Sequence, residues 1–168
     1  MAGRLLIIDD DVDFAESIAD LLEGQGYETA LAHSAREGLE RIAAADFDLV
    51  LLDMKMPGMS GVACLEELHR LRPGLPALMV TAFTRTELLR QALAAGAVAV
   101  LGKPVSVDDL FSVVSTVTAP ASVLLVEDDQ DLAAELCEAL AGRGYEVRCA
   151  GTLAEARATL SARPAKLL

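Results

Sequence analysis

The residues whose side chains are best suited to take part in a reaction stand directly after apolar runs. The run at residues 49–52 stops at Asp53, and Pro57-Gly58 then requires a loop, because proline lacks an N–H donor and glycine tolerates a positive φ. A short uninterrupted apolar run predicts a strand buried on both faces, as in a parallel sheet. Asp53 therefore stands at the carboxyl end of a central strand, where a carboxylate requires a cation, a donor or a reaction partner.

Other apolar runs end in the same way, at Asp9 and Asp10, at Thr81 and, after Gly102, at Lys103. The carboxyl ends of parallel strands share one sheet edge, so we expect these side chains to converge. Three carboxylates with water and backbone carbonyls form an oxygen-rich octahedral site that suits Mg²⁺. A carboxylate beside Mg²⁺, an ammonium as a point charge and a hydroxyl donor are the groups that phosphoryl transfer to a carboxylate needs. Asp53, on the central strand, is the predicted nucleophile.

Strands alternate with helices along the chain. The pattern predicts strands at 4–8, 27–32, 49–53, 77–80 and 97–101, and helices that begin near Asp11 or Asp13, Ser34, Ser60, Thr84 and Ser106. Residues at helical spacing give the second and third helices their predicted inner faces: Leu39, Ile42 and Ala43, and Val62, Leu65, Leu68 and Leu71. Five strand–helix units imply a parallel sheet with right-handed crossovers and helices on both faces.

The chain then begins to repeat itself. Residues 122–129 resemble residues 4–11 at an offset of 118 residues, and the same offset relates Tyr27 to Tyr145 and Glu37 to Glu155. We therefore expect a complete domain at 1–118, a linker at 119–121 and an incomplete βαβα copy at 122–168. The copy contains no counterpart of the later strand ends, so we do not expect it to be phosphorylated.

Composition excludes several classes of function. The formal charge of −12 and the sequence pI of about 4.5 disfavour direct binding to nucleic acid or to an anionic membrane. No apolar run approaches the roughly 18 residues of a membrane helix, and three aspartates interrupt the first run, so no secretory signal is visible. Three cysteines without metal-type spacing predict free thiols in a reducing cytoplasm.

Residues 4–117 resemble the receiver domain of two-component response regulators. The resemblance depends on the acidic pair after the first strand, on Asp53 with its Pro-Gly turn, on Thr81-Ala82 and on Lys103-Pro104. It implies a flavodoxin-like, doubly wound α/β fold with a five-stranded parallel sheet in the order 2-1-3-4-5. It also implies Mg²⁺ ligands at Asp9, Asp10, Asp53 and the Lys55 backbone carbonyl, a phosphoacceptor at Asp53, a switch hydroxyl at Thr81 and a phosphate clamp at Lys103.

The same resemblance implies partners. The family takes its phosphoryl group from a phosphohistidine on a sensor histidine kinase or phosphotransfer domain, and it turns over no separate substrate. Phosphorylation is expected to change the face formed by the fourth helix, fifth strand and fifth helix, with Arg85, Arg90 and Gln91 as exposed contacts. That face or the incomplete copy is also a candidate homodimer contact.

Two departures from the family pattern keep alternatives open. The family usually has an aromatic residue where this chain has Val100, which favours a phosphorylation-independent interaction domain as the alternative reading. Lys55 and Phe83 occupy positions that tune hydrolysis of the acyl phosphate in the family, and a bulky Phe83 is expected to hinder the attacking water. A hydrolase of the haloacid type also uses an aspartate nucleophile and Mg²⁺, but it requires a second aspartate where Lys55 stands.

Overall fold

The protein consists of two compact units, residues 1–118 and 119–168, in a computed structural model that describes residues 3–82, 86–119, 122–143 and 145–162. The elements of the first unit are β1 (Arg4–Ile8), α1 (Val12–Glu23), β2 (Glu28–Ala32), α2 (Ala35–Ala44), β3 (Leu49–Asp53), α3 (Gly61–Leu71), β4 (Ala77–Thr81), α4 (Thr86–Ala94), β5 (Ala99–Gly102) and α5 (Val107–Val117). Strand and helix alternate throughout, as the sequence pattern predicts. No helix in the described ranges is both long and apolar enough to cross a bilayer.

The five strands form one parallel sheet in the order β2-β1-β3-β4-β5, which confirms the predicted flavodoxin-like topology. β3 lies at its centre, between β1 and β4. Asp53 pairs in register with Val80, and Thr81 with Gly102, so the polar strand ends are brought to the same edge. Every residue of β3 and β4 is buried, as expected of central strands covered by helices on both faces.

Two apolar clusters cover the two faces of the sheet. One contains Leu6, Leu52 and Met79 from the strands together with residues of α2 and α3, and the other contains Leu5, Leu51 and residues of α1 and α5. Each fully buried leucine contributes roughly 2 kcal/mol of transfer free energy. The layers on both faces therefore hold the strand ends in fixed positions.

Side chains cap four of the helices where the sequence indicates it. Asp11, Ser34, Ser60 and Ser106 each accept a hydrogen bond from a backbone N–H in the first turn of the helix that follows. The predicted inner faces are only partly confirmed, because Ala43 and Leu71 are exposed. Both lie in the last turn of a helix, where the chain turns away from the sheet.

β5 begins two residues later than predicted. Gly96 has a φ of +97°, and the N–H of Ala97 donates to the carbonyl of Ala92, so this residue closes the end of α4 rather than opening a strand. The ladder with β4 starts at Ala99, opposite Leu78. The predicted start of the fourth helix at Thr84 lies outside the described residues, and the helix is described from Thr86.

The second unit contains β6 (Ser122–Val126), α6 (Gln130–Ala141), β7 (Glu146–Ala150) and α7 (Leu153–Ala162), and its two strands pair in parallel. A disulfide joins Cys137 on α6 to Cys149 on β7, so the prediction of three free thiols is wrong for these two residues. The repeat gives the physical reason, because their counterparts, Ala19 and Leu31, pack in one apolar cluster of the first unit. Cys64 is free and buried.

Candidate functional site

The Lys103 ammonium lies between two buried carboxylates at the carboxyl edge of the sheet. Its Nζ is 2.7 Å from Asp9 Oδ2 and 2.9 Å from Asp53 Oδ1. Asp9 and Asp53 are 2% and 7% exposed, so both charges are largely removed from water and depend on the ammonium for compensation. The structure therefore brings together three of the residues that the sequence analysis assigns to one site.

Asp10 completes an acidic cluster with these two residues. One carboxylate oxygen from each of Asp9, Asp10 and Asp53 lies within 4.8 Å of the others, and Asp10 faces solvent. Three carboxylates and one ammonium leave a formal charge of −2 at this edge. A divalent cation with a preference for oxygen ligands matches both the charge and the donor set, so these residues fit the Mg²⁺ site that the sequence predicts.

Backbone N–H groups fix the orientation of the two buried carboxylates. The N–H of Lys55 donates to Asp53 Oδ2 at 2.6 Å, and the N–H of Asp11 donates to Asp9 Oδ1 at 3.0 Å. Each carboxylate therefore presents one oxygen to a backbone donor and the other to Lys103. The Lys55 side chain is exposed, and the metal-ligand role predicted for its backbone carbonyl stays a prediction.

Thr81 is 1% exposed and ends β4 directly beside the lysine. The backbone N–H of Lys103 donates to the Thr81 carbonyl at 2.7 Å, which extends the β4–β5 ladder past Gly102. The hydroxyl and the ammonium thus belong to neighbouring strand ends. The geometry places Thr81 where the sequence predicts it.

Burial and pairing act in opposite directions on the ionisable groups of this site. Burial raises the pKa of the Asp9 carboxyl above its ordinary value, although hydrogen bonds from Lys103 and from the Asp11 N–H oppose it. Burial alone lowers the pKa of the Lys103 ammonium, but hydrogen bonds to Asp9 and Asp53 outweigh it and the net pKa is raised. Lys103 is therefore fully charged at neutral pH.

Two residues at the site were not singled out for a chemical role by the sequence analysis. Phe14 of α1 places its ring centroid 4.0 Å from Lys103 Nζ, a cation–π distance. Gly61 is the first residue of α3 and lies against the backbone of Asp53, where an added Cβ would be 2.2 Å from the Asp53 carbonyl oxygen. Phe14 fits the apolar pattern of its helix and Gly61 follows a cap, so neither residue type signals a role by itself.

The remaining predicted residues are distributed around the site. Val100 is half-buried on β5 and packs against the core cluster that contains Met79. Arg90 and Gln91 are exposed on α4, as expected for a contact face, whereas Phe83 and Arg85 lie outside the described residues. Their predicted roles stay predictions.

Comparison with known proteins gives a consistent result. A sequence profile of the response regulator receiver domain matches residues 5–115. A response regulator receiver protein of Anaeromyxobacter sp. (strain Fw109-5) is 39% identical over 152 residues, which are 90% of this chain and 64% of that protein. The transcriptional regulatory protein ZraR of Escherichia coli (strain K12) is 42% identical over 106 residues, 63% of this chain and 24% of ZraR. This chain thus spans less than two thirds of each of these relatives.

Solved structures share the fold. The crystal structure of a CheY-like response regulator receiver domain protein from Methanospirillum hungatei JF-1 superposes with a TM-score of 0.67 at 40% sequence identity. The superposition covers 70% of this chain and 94% of that one. The likeness therefore corresponds in length to the first unit and takes in nearly all of the other chain.

Proposed function

This chain belongs to the response regulator receiver domain family, and on that basis we propose that its first unit accepts a phosphoryl group on Asp53 in a two-component or phosphorelay pathway. The observation that carries the proposal is the contact of one ammonium, Lys103, with both Asp9 and Asp53 at the carboxyl edge of the sheet. A buried acid at this edge, with a lysine and two further acids beside it, is arranged for phosphoryl transfer rather than for stability alone.

Each residue of the site has its own proposed role in phosphoryl transfer. Asp53 supplies the attacking carboxylate oxygen, Lys103 faces the phosphoryl oxygens as they approach, and Thr81 donates a hydrogen bond to one of them. Asp9, Asp10, Asp53 and the Lys55 carbonyl would hold Mg²⁺, which when bound neutralises charge that develops on the phosphoryl group. In the proposed step the bond from phosphorus to the donor imidazole breaks as the bond to the Asp53 oxygen forms, and the imidazole of the donor leaves with the electron pair.

We propose a sensor histidine kinase or a phosphotransfer domain as the donor, in the cytoplasm. The domain is a phosphoacceptor and turns over no separate substrate. The face formed by α4, β5 and α5 is proposed to change on phosphorylation and to contact partners or a second copy of the chain, with Arg90 and Gln91 exposed on it. ZraR is named a transcriptional regulatory protein, but this chain matches only 24% of it, so only the receiver role is carried over. We propose that this chain itself does not contact nucleic acid or membrane directly.

We also propose that residues 122–168 are the first part of a second receiver domain, joined to the first by residues 119–121. Its βαβα order and the 118-residue offset support this assignment. The Anaeromyxobacter relative adds independent support, because the likeness of 152 residues extends beyond the first unit. Those residues are 64% of that protein, which makes it about 240 residues long, or two copies of the repeat.

The test is incubation with phosphoramidate and Mg²⁺, followed by intact-mass measurement. We expect a gain of about 80 Da, one phosphoryl group, that depends on Mg²⁺ and is absent in Asp53→Asn. Asp13→Asn is the matched control, because Asp13 is an exposed aspartate in the first turn of α1 and is not one of the three clustered carboxylates. An unmodified wild type, or equal labelling of Asp53→Asn, would overturn the proposal.

A second candidate function is a phosphorylation-independent interaction domain. The specific observation that favours it is Val100, which is packed against the core and provides no aromatic ring to move between inner and outer positions. Pull-down of the partner kinase or output protein by wild type and Asp53→Asn, each with and without phosphoramidate, separates the two candidates. Capture that responds to phosphoramidate only in the wild type supports the phosphoacceptor, and identical capture in all four samples supports the interaction domain.

A further inference from the structure

The Lys103 ammonium is enclosed on three sides, by two carboxylates and one aromatic ring. Asp9 and Asp53 accept its hydrogen bonds, and the face of Phe14 covers it at 4.0 Å from the ring centroid. The lysine side chain remains 20% exposed, so the ring does not seal it from solvent. These three contacts restrict a four-carbon side chain that has many rotamers available in water.

We propose that Phe14 is a positioning residue, which holds the Lys103 ammonium at the carboxylates before a phosphoryl group arrives. The proposal rests on the proposed function of Asp53. The ring is itself fixed, because Phe14 lies in the first turn of α1 and packs against the apolar cluster of α1 and α5. It also borders the small cavity that Asp9 and Asp53 line.

The repeat offers an internal comparison for this position. Leu132 of α6 is the counterpart of Phe14 at the offset of 118 residues, and Glu127 is the counterpart of Asp9. Phe14→Leu therefore converts this position to the residue that the other copy contains.

The ammonium and a bound Mg²⁺ use the same carboxylates, and this makes a specific role distinguishable from general damage. If Phe14 holds the ammonium in place, its loss lets Lys103 move away more easily. Phosphorylation by phosphoramidate then slows by about two- to fivefold, the range expected for a partly exposed cation–π contact. Mg²⁺ binding stays as tight as in the wild type or becomes tighter, since the competing cation is held less firmly. A purely structural defect would instead weaken Mg²⁺ binding along with the rate.

Lysine-selective ¹³C labelling gives a direct readout of the position of the ammonium. The chain has only three lysines, Lys55, Lys103 and Lys166, so the ε-methylene signals are few. The Lys103 signal is expected upfield of the others because of the ring current of Phe14. It should move to the ordinary lysine position in Phe14→Leu and stay upfield in Phe14→Tyr, which keeps the ring.

Three measurements on each variant therefore decide the matter: the lysine spectrum, the Mg²⁺ dissociation constant by calorimetry, and the phosphorylation rate at saturating Mg²⁺. An upfield Lys103 signal that disappears in Phe14→Leu, with a slower rate, no loss of Mg²⁺ affinity and recovery in Phe14→Tyr, supports the proposal. An unchanged Lys103 signal, or an equal loss of rate in both variants, overturns it. If the wild type accepts no phosphoryl group, the function proposed for Asp53 fails, and the lysine spectrum and Mg²⁺ affinity still decide whether Phe14 holds the ammonium.

Discussion

Replacement of Gly61 by alanine is expected to destabilise the first unit through a backbone collision. A Cβ at this position would lie 2.2 Å from the Asp53 carbonyl oxygen, 2.7 Å from Met54 Cα and 2.9 Å from Met79 Cε. The first two of these are backbone atoms of the chain at the end of β3, so no side-chain rotation relieves them. The N–H of Gly61 also donates to the Met54 carbonyl at 2.9 Å, which holds α3 against that segment.

The magnitude follows from two opposing contributions. Alanine favours a helix interior over glycine by about 1 kcal/mol, but Gly61 is the first helical residue and gains only part of this. Overpacking costs about 1–3 kcal/mol, and the upper end applies because backbone must move. We therefore expect the free energy of unfolding of the first unit to fall by about 2 kcal/mol. We also expect slower phosphorylation, because the shift displaces Asp53.

Urea unfolding followed by far-UV circular dichroism, fitted with a separate transition for each unit, measures this loss. Gly74→Ala is the matched control, because nothing lies within 4 Å of its added Cβ and its φ is not positive. It should be neutral or stabilising by about 0.5 kcal/mol, through reduced entropy of the unfolded chain. Gly38→Ala meets the buried Ile8 side chain rather than backbone atoms and should fall between the two. A Gly61→Ala variant as stable as Gly74→Ala would refute the reasoning.

Three further predictions concern Cys64, the disulfide and the pH dependence of stability. Cys64 is buried, and burial raises the pKa of its thiol to about 11. Native protein at pH 8 should therefore show no thiol that reacts rapidly with Ellman's reagent. Denatured protein should show one reactive thiol, and protein that is denatured, reduced and freed of the reductant should show three. Reduction of the Cys137–Cys149 disulfide should lower the free energy of unfolding of the second unit by about 3 kcal/mol, because the bridge no longer closes a loop across 12 residues of the unfolded chain. The unfolding transition of the first unit should stay unchanged. A hydrogen bond from the backbone N–H of His33 and then one from Arg41 lower the pKa of the Glu37 carboxyl below 4.5. The carboxylate therefore stabilises the folded state above pH 4.5, and this stabilisation is lost as the pH falls through the folded-state pKa. Glu37→Gln should therefore be less stable than wild type by about 0.5 kcal/mol at pH 7, with no difference in urea midpoint near pH 2, and a difference that persists at low pH would exclude this cause.

Much of the first unit is readable from the sequence, because the signals there are local. Uninterrupted apolar runs mark the buried strands, and Ser34, Ser60 and Ser106 mark helix starts by side-chain hydrogen bonds within one turn. The convergence of Asp53 and Lys103 also follows, since it depends only on which end of each parallel strand a residue occupies. The chemical roles of these residues stay predictions until phosphorylation is measured.

What the sequence pattern misses depends on contacts between distant residues. Phe14 fits the apolar stripe of α1, but spacing does not reveal that its ring extends past the sheet onto Lys103. Leu71 has the correct helical phase and is nevertheless exposed, because phase alone does not tell where a helix leaves the core. The disulfide was missed for a related reason: Cys137 and Cys149 have no motif spacing, and only the packing of a helix on a strand brings them together.

The hydrogen bond from the Lys103 N–H to the Thr81 carbonyl has a mechanical consequence. It extends the hydrogen-bond ladder between β4 and β5 by one bond. The residues that carry the hydroxyl and the ammonium are therefore joined through the sheet rather than carried on two independent loops. We therefore expect a displacement of the backbone at one of these strand ends to move the other as well. The chain continues from Thr81 towards α4 and from Lys103 towards α5. We therefore expect a displacement of these two strand ends to affect both helices.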